Sequence, residues 1–383
     1  MVWVRDQNSR LKAQNRNDTA RDNHPLSDRQ IRVLQALRRR GVDQVPKGEF
    51  GIEADLCQRI IDIKDGRKVK PECFSEMSRL IRVLEILAMD FTAVNPGLPS
   101  RQQLGRDSRG RKLEIDFWGN QVAAVGVSKG IVVPACSGIA ELVHYQLPGL
   151  ERVDFGPIKR WSQETPFFIF TQVPGPFSLI GSLTSFLDFL GYTVANPNEL
   201  KNLAVTVGKW LGELIGQCIS FGAQGIVITD DLAYDRGPWI NLKALEQLFF
   251  PVMAELVSGA KQRGIPVVLH CDGDVRSLLP YVAEMGFDGI HSLQPSAGND
   301  LGEIKVKFGS RLCLMGNLDC NYLLPEATVS EVVAATCETL QVGSPGGGYI
   351  LSSCAGILSG DWPAENILAM YQTAEKFSIR NQI

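Results

Sequence analysis

Short apolar runs that end in polar residues alternate with amphipathic segments through the second half of this 383-residue chain. Such runs are typical of buried parallel strands, and the segments between them have helical spacing. Parallel strands joined by helices form a closed (β/α)8 barrel or an open doubly wound sheet. No G-x-G-x-x-G follows a predicted strand, as a nucleotide-binding open sheet would require, so we predict a (β/α)8 (TIM) barrel. The predicted strands are residues 167–173, 225–229, 265–269, 289–293, 312–315 and 349–352, and the predicted helices are 178–190, 198–221, 242–263, 275–285, 300–308, 330–340 and 364–377.

The first 160 residues carry a weaker pattern. Residues 1–26 are polar and rich in Arg, Asn and Asp, which predicts a poorly ordered arm. A helix begins after Ser27, a residue suited to an N-cap, and a turn and short strand follow that would deliver Glu49. Residues 100–125 suggest a hairpin. We predict a single barrel domain over residues 27–383 with an N-terminal helical and hairpin extension.

Composition narrows the class of protein. Lys and Arg number 39 against 42 Asp and Glu, so the net charge of -3 argues against a nucleic-acid binder. Nine cysteines are spread singly with no CxxC pair, which favours reduced thiols in a cytoplasm over a disulfide framework. No apolar run reaches the ~18 residues of a membrane span. We expect a soluble, cytoplasmic protein.

Titratable residues are concentrated where the predicted strand 265–269 ends. His270, Cys271, Asp272 and Asp274 follow it before a helical pattern resumes. Because side chains alternate along extended chain, His270 and Asp272 leave the same face. An imidazole and a carboxylate presented together can bind a metal or share a proton. Asp274 taken alone is better interpreted as the N-cap of the next helix.

The carboxyl ends of all barrel strands open into one mouth. One imidazole, one thiolate and one or two carboxylates there would make a reasonable zinc set. Taken singly each ligand assignment is weak, because a core histidine would explain His270 and a buried apolar thiol explains Cys354 equally well. The residues expected at the mouth are Glu49, Gln172, Asp230, Asp231, His270, Asp272, Gln294, Asn317 and Cys354.

The stretch 229–234 adds two adjacent carboxylates and a phenol. Adjacent strand residues point to opposite faces, so we expect either Asp230 or Asp231 to enter the mouth and the other to bind loop backbone. Residues 237–239 then suggest a loop that acts as a lid. His291 lies inside its predicted strand and is interpreted as structural.

Five motifs together indicate a family. They are Leu-His-Cys-Asp-Gly-Asp at 269–274, Leu-Gln-Pro at 293–295 with Gly-Asn-Asp-Leu at 298–301, Met-Gly-Asn-Leu-Asp at 315–319, Gly-Gly-Gly-Tyr-Ile-Leu at 346–351 and Pro-Ala-Glu-Asn-Ile at 363–367. With them the chain resembles the uroporphyrinogen decarboxylase superfamily, whose members are (β/α)8 barrels. The Met-Arg-Gln-Ala-Gly-Arg type run with which the true decarboxylase grips propionates is absent, and residues 45–55 take its place. The stretch 230–234 is similar to the methyltransferase branch, which moves methyl groups to or from the cobalt of a corrinoid protein.

That branch commonly holds zinc with a His-x-Cys pair and a distant Cys. The resemblance implies His270 as the histidine and Cys354 as the distant cysteine, with Asp272 where the middle cysteine would be and Glu49 as a candidate fourth ligand. A carboxylate in place of a thiolate makes zinc a harder Lewis acid, which suits oxygen-bound methyl donors. The same substitution leaves open a site without metal.

The resemblance implies an enzyme that demethylates a methyl ether, with an aromatic ether favoured, and passes the methyl to cobalt(I). No Asp-x-His-x-x-Gly occurs in the chain, so the corrinoid would arrive on a separate protein. One alternative is methyl transfer from methylcorrinoid to a thiol or pterin. A second is a decarboxylase, which is disfavoured because the Arg clamps for its carboxylates are missing. A third is a non-enzymatic barrel subunit. The sequence leaves open which methyl donor is used and whether the protein forms a homodimer. Expected catalytic residues are Asp231, Tyr234 and Asp230, and expected substrate-binding residues are Gln172, Gln294 and Asn317.

Overall fold

The core of the molecule is one parallel sheet of seven strands. The computed structural model describes residues 25–68, 70, 74–125 and 128–377, so all but the last two residues of the predicted arm 1–26 lie outside the described residues. The strands follow one another around the sheet in chain order, as successive βα units require. They are Phe91–Ala93, Phe168–Pro174, Gly225–Thr229, Val267–Cys271, Gly289–Ser292, Cys313–Leu318 and Tyr349–Ser353.

A short extended segment closes this sheet into a barrel. Lys47 forms a parallel bridge with Leu351 in the last strand, and Gly48 forms one with Phe91 in the first. A Cβ atom on Gly48 would lie 2.6 Å from the carbonyl oxygen of Phe91, so the close approach requires glycine. The segment takes the position of the eighth strand, between the first and last strands of the sheet. The predicted (β/α)8 barrel is confirmed.

Alternating side chains build an inner and an outer core. Phe168 and Phe170 point into the barrel with Val268 and Met315, while Ile169 points outward among the helices. Each face of a strand is therefore apolar, as expected of a parallel sheet covered on both sides. Polar residues are concentrated near the strand ends, and Thr92, Thr171 and His291 are buried exceptions within the strands.

Helices surround the barrel. Helix Asp28–Leu37 covers its amino end, because Val33 and Leu37 belong to the inner core, and Ser27 caps this helix as predicted. The predicted helix 242–263 is interrupted at Phe249, just before Pro251, which lacks the N–H that a continuous helix needs. The helices are Asp28–Leu37, Ala54–Asp65, Glu76–Ile86, Ile139–Val143, Gly156–Glu164, Pro176–Ser182, Phe186–Ala195, Pro197–Ser220, Leu242–Leu248, Phe250–Lys261, Leu279–Glu284, Leu301–Phe308, Leu323–Glu326, Val329–Gly343 and Ala364–Lys376.

The predicted hairpin is part of a larger sheet. Four antiparallel strands, Gln102–Arg106, Lys112–Ile115, Gln121–Val125 and Ser128–Val133, pair in sequence order between the first and second barrel strands. Within the described part of the chain no single helix is long and apolar enough to cross a membrane. The sharply bent pair Pro176–Ser182 and Phe186–Ala195 passes that test together, by length and composition only.

Candidate functional site

One imidazole and two carboxylates meet at the carboxyl ends of two neighbouring strands. One ligand atom from each of Asp231, His270 and Asp272 lies within 4.8 Å of the others. The main-chain N–H of Asp272 donates to Asp231 Oδ1 at 3.2 Å, which fixes the two loops to each other. His270 Nε2 and Asp272 Oδ2 are 3.9 Å apart. Burial raises the pKa of the Asp272 carboxyl. We call these three residues the mouth triad.

A second histidine sets the orientation of the first. His270 and His291 are register partners on adjacent strands, and their Nδ1 atoms are 2.7 Å apart. His291 Nε2 lies 3.2 Å from the carbonyl oxygen of Ser353, which can only accept, so Nε2 carries the proton. Burial, followed by the neighbouring His270, lowers the pKa of His291 well below its usual value, so its Nδ1 is an acceptor.

The proton between the two rings therefore belongs to His270 Nδ1. In neutral His270 this leaves the lone pair on Nε2, facing the carboxylates of the mouth triad. Metal-binding histidines are commonly held in one tautomer by such a bond from the second nitrogen. The sequence analysis interpreted His291 as structural, because the only local signal is a polar residue within an otherwise apolar strand.

Glu49 lies behind the triad rather than in it. Its carboxylate accepts hydrogen bonds from the Ser353 main-chain N–H at 2.7 Å, the Ser353 hydroxyl at 2.9 Å and the Tyr371 hydroxyl at 2.8 Å. Burial raises the pKa of Glu49 to about 7, against these three bonds, which lower it. Both oxygens are committed to the barrel wall, so the structure differs here from the predicted fourth ligand.

Cys354 is also outside the triad. It follows the last strand directly, is buried, and donates from its Sγ to the Sγ of Cys320 at 3.1 Å. This contact, followed by burial, raises the pKa of Cys354. The same contact lowers the pKa of Cys320, against burial, which raises it. Cys320 was not among the predicted site residues, because nothing local in the sequence distinguishes it from the other single cysteines. The predicted ligand pair His270 and Asp272 is brought together, whereas Cys354 has a different neighbour.

The adjacent aspartates Asp230 and Asp231 point to different surroundings, as expected. Asp230 is fully buried and accepts from the main-chain N–H groups of Phe177 and Ser178 at 3.3 and 2.7 Å. Burial raises its pKa to about 7. Asp231 is exposed and turns into the mouth. Of the two predicted catalytic aspartates, Asp230 binds backbone and Asp231 faces solvent in the triad.

Two exposed aromatic rings on the loop that carries Asp231 contact a third ring at the start of helix Phe186–Ala195. Tyr234 stacks on Trp239 with ring centroids 4.8 Å apart and planes 28° apart, and Trp239 meets the edge of Phe186 at 5.1 Å. All three rings are more than a third exposed. We call them the aromatic shelf.

The three predicted substrate-binding residues line the same end of the barrel but each has an internal partner. Gln172 exchanges hydrogen bonds with Asn95, at 2.9 and 3.2 Å. Gln294 accepts from the Gly273 N–H at 3.0 Å, which supports the loop after His270. Asn317 is nearly buried and donates to the Leu293 carbonyl at 2.9 Å. Their role toward a substrate stays a prediction.

Fold and site together define a (β/α)8-barrel protein with a polar site at the carboxyl end of its strands, the end where such barrels carry chemistry. The family model "Uroporphyrinogen decarboxylase (URO-D)" matches residues 158–377, more than half of the chain. The chain therefore belongs to the uroporphyrinogen decarboxylase family, as the sequence motifs indicated.

Relatives within this family carry two different names. A uroporphyrinogen decarboxylase of Thioalkalivibrio sulfidiphilus is 25% identical over 204 residues, which are 52% of this chain and 55% of that protein. A methylated-thiol–coenzyme M methyltransferase of Methanosarcina mazei is 22% identical over 228 residues, 58% of this chain and 56% of that protein. The chain spans about half the length of the curated relatives it matches.

A solved structure agrees with the fold over nearly the whole chain. The methyltransferase from Methanosarcina mazei superposes with a TM-score of 0.68 and 18% identity, covering 92% of this chain and 99% of that one. At this identity the likeness shows the fold alone.

Proposed function

We propose that the protein is a methyltransferase that takes a methyl group from an aryl methyl ether and passes it to cobalt(I) of a corrinoid on a separate protein. The observation that supports this most is the mouth triad, one imidazole and two carboxylates converging at the active end of a barrel from this family. The methyltransferase name of one relative and of the solved structure supports the reaction class.

The triad has the donor chemistry of a zinc site. Imidazole nitrogen and carboxylate oxygen are both zinc ligands, and the bond from His270 Nδ1 to His291 leaves Nε2 free to bind. Asp231, His270 and Asp272 would hold the ion, with Asp231 in place of the predicted Cys354 and Glu49. A bound zinc would supply Lewis acidity, which stabilises negative charge on a departing oxygen.

The reaction needs a proton at the oxygen that loses the methyl group. The C–O bond breaks, the carbon bonds to cobalt(I) as the equivalent of a methyl cation, and the oxygen leaves with the electron pair. Tyr234 belongs to the loop that carries Asp231, and its main chain accepts from the Asp274 N–H at 2.9 Å, which anchors it. We assign its hydroxyl to deliver a proton to that oxygen.

The aromatic shelf supports an aromatic methyl donor. Tyr234, Trp239 and Phe186 contact one another at aromatic distances. Their exposed faces and edges would bind a flat ring through offset stacking and edge contacts. An aryloxide is also a better leaving group than an alkoxide, because the ring delocalises its charge.

A second candidate is methyl transfer between a thiol and the corrinoid. It is favoured by the printed name of the Methanosarcina mazei relative, which acts on methylated thiols. The ligand chemistry argues for ranking it second. Thiol substrates suit zinc sites rich in thiolate, and the triad offers two oxygen ligands and one nitrogen.

Metal content and methyl transfer should be measured on the same preparations. We expect about one zinc per chain. We also expect methyl transfer from methoxybenzenes to cob(I)alamin, which is measured by the loss of the cobalt(I) absorbance. His270→Ala and Asp231→Asn should lose both, whereas Asp235→Asn, an exposed acid on the same loop, should lose neither. Methylated thiols as the sole active donors would favour the second candidate. Protein that binds no zinc when prepared without chelator would exclude the zinc site.

A further inference from the structure

Two cysteines at the mouth form a pair that the methyl-transfer proposal does not use. Cys320 lies in the loop after strand Cys313–Leu318, and Cys354 follows strand Tyr349–Ser353. These strands are neighbours, and the Cys354 N–H donates to the Leu318 carbonyl at 2.9 Å, so the backbone holds the two loops together. The sulfur atoms are 3.1 Å apart.

The two thiols differ in access to solvent. Cys354 is 1% exposed, whereas Cys320 is half-buried and open to a small reagent. An accessible thiol beside a buried one is the arrangement of a redox-sensitive pair, in which the first sulfur reacts and the second resolves. A disulfide bond is about 2.05 Å long, so the sulfurs must approach by about 1 Å. Cys320 lies in a loop beyond the end of its strand, where such a shift is least restricted.

We propose that Cys320 and Cys354 form a reversible thiol–disulfide couple at the barrel mouth, oxidised by low-molecular-weight disulfides. The Cys320 sulfur, without its proton, attacks one sulfur of the small disulfide and releases one small thiol. The Cys354 sulfur, its proton passed to solvent, then attacks Cys320 and releases the second small thiol. Two protein thiols are oxidised to one disulfide, and one small disulfide is reduced to two thiols.

The disulfide bond would also constrain the loops at the barrel mouth. It would tie the loop after strand Cys313–Leu318 to the loop after strand Tyr349–Ser353. Formation of this bond does not rest on the proposed function, so the two proposals can fail separately.

The test is oxidation of the reduced full-length chain with oxidised glutathione, followed by alkylation and peptide mapping by mass spectrometry. We expect a cross-linked peptide pair containing Cys320 and Cys354, loss of both free thiols, and their return with dithiothreitol. Cys354→Ser should keep one glutathione on Cys320, because no resolving thiol is present. Cys337→Ser, at a half-buried cysteine of helix Val329–Gly343, is the matched control and should cross-link normally.

Three results would overturn the inference. The first is that both peptides stay fully reduced under oxidant. The second is that the unchanged chain holds a stable glutathione on Cys320 without cross-linking. The third is that Cys320 or Cys354 pairs with another cysteine instead. The unchanged chain alone decides between these results, so the inference stays testable even where a serine variant does not fold.

Discussion

At the scale of single residues, two histidines on adjacent strands lie in different environments. His270 faces the carboxylates of the mouth triad, and His291 is buried between Phe50, His270 and the Ser353 carbonyl. The buried ring has no solvent to exchange protons with, so its hydrogen bonds decide its tautomer and, through it, that of His270. Under the proposed function, His291 is therefore a positioning residue for the His270 nitrogen that would bind zinc.

Replacing His291 by leucine tests this role. The substitution keeps an apolar side chain in the barrel and removes the acceptor for His270 Nδ1, so we expect zinc affinity to fall about 10- to 100-fold, as for other partners of metal-bound histidines. Competition with a chromogenic zinc chelator measures the change. His144→Leu, at an exposed histidine after helix Ile139–Val143, should leave the affinity unchanged. Equal affinities for both variants would show that His270 needs no orienting partner.

At the scale of elements, one buried carboxylate fixes a helix to the end of a strand. Asp230 follows strand Gly225–Thr229 and accepts from the first N–H groups of helix Pro176–Ser182. Ionised, it satisfies donors that a helix N-terminus otherwise leaves without a partner, and it carries Asp231 into the mouth. The helix packs close to it because Gly175 has no side chain.

Gly175→Ala should separate these elements. A Cβ atom there would lie 2.1 Å from the carboxyl carbon of Asp230, and the φ of -81° at Gly175 is ordinary for alanine, so the effect is steric alone. We expect a loss of roughly 1–3 kcal/mol in the free energy of unfolding, as for other overpacked sites, together with weaker zinc binding. Urea unfolding measures the first quantity. Gly259→Ala has open space around it on helix Phe250–Lys261 and should be neutral or slightly stabilising. Similar values for the two variants would contradict the steric argument.

At the scale of the whole molecule, the sequence predicts those features that depend on residues close together in the chain. Buried parallel strands are apolar runs with polar ends, so the strand order and the meeting of His270 with Asp272 were predictable, as was the division between Asp230 and Asp231. The contacts of Glu49 were not, because its partners Ser353 and Tyr371 lie 304 and 322 positions away. No periodicity reports on such a contact, which exists only once the closing segment lies between the first and last strands.

That closure buries Glu49, and the burial should make the stability of the barrel depend on pH. Its pKa rises from 4.5 to about 7 on folding, so between these values the native chain holds a proton that the unfolded chain has lost. Stability from this group is complete below about pH 4.5 and is lost as the pH rises through about 7. Asp230, raised from 3.8 to about 7, acts in the same direction.

Glu49→Gln removes one of these two contributions. Glutamine can keep an acceptor for the Ser353 N–H and cannot ionise, so the loss of stability between pH 5 and pH 8 should shrink by roughly 1–3 kcal/mol relative to the unchanged chain. Urea unfolding at both pH values with a chelator present measures it free of any metal contribution. Glu255→Gln, on an exposed face of helix Phe250–Lys261, is the matched control. A pH dependence that Glu49→Gln leaves unchanged would mean that Glu49 stays ionised inside the barrel, held by its three hydrogen-bond donors. A site that keeps a buried negative charge would then favour a cation at the mouth more strongly than the triad does alone.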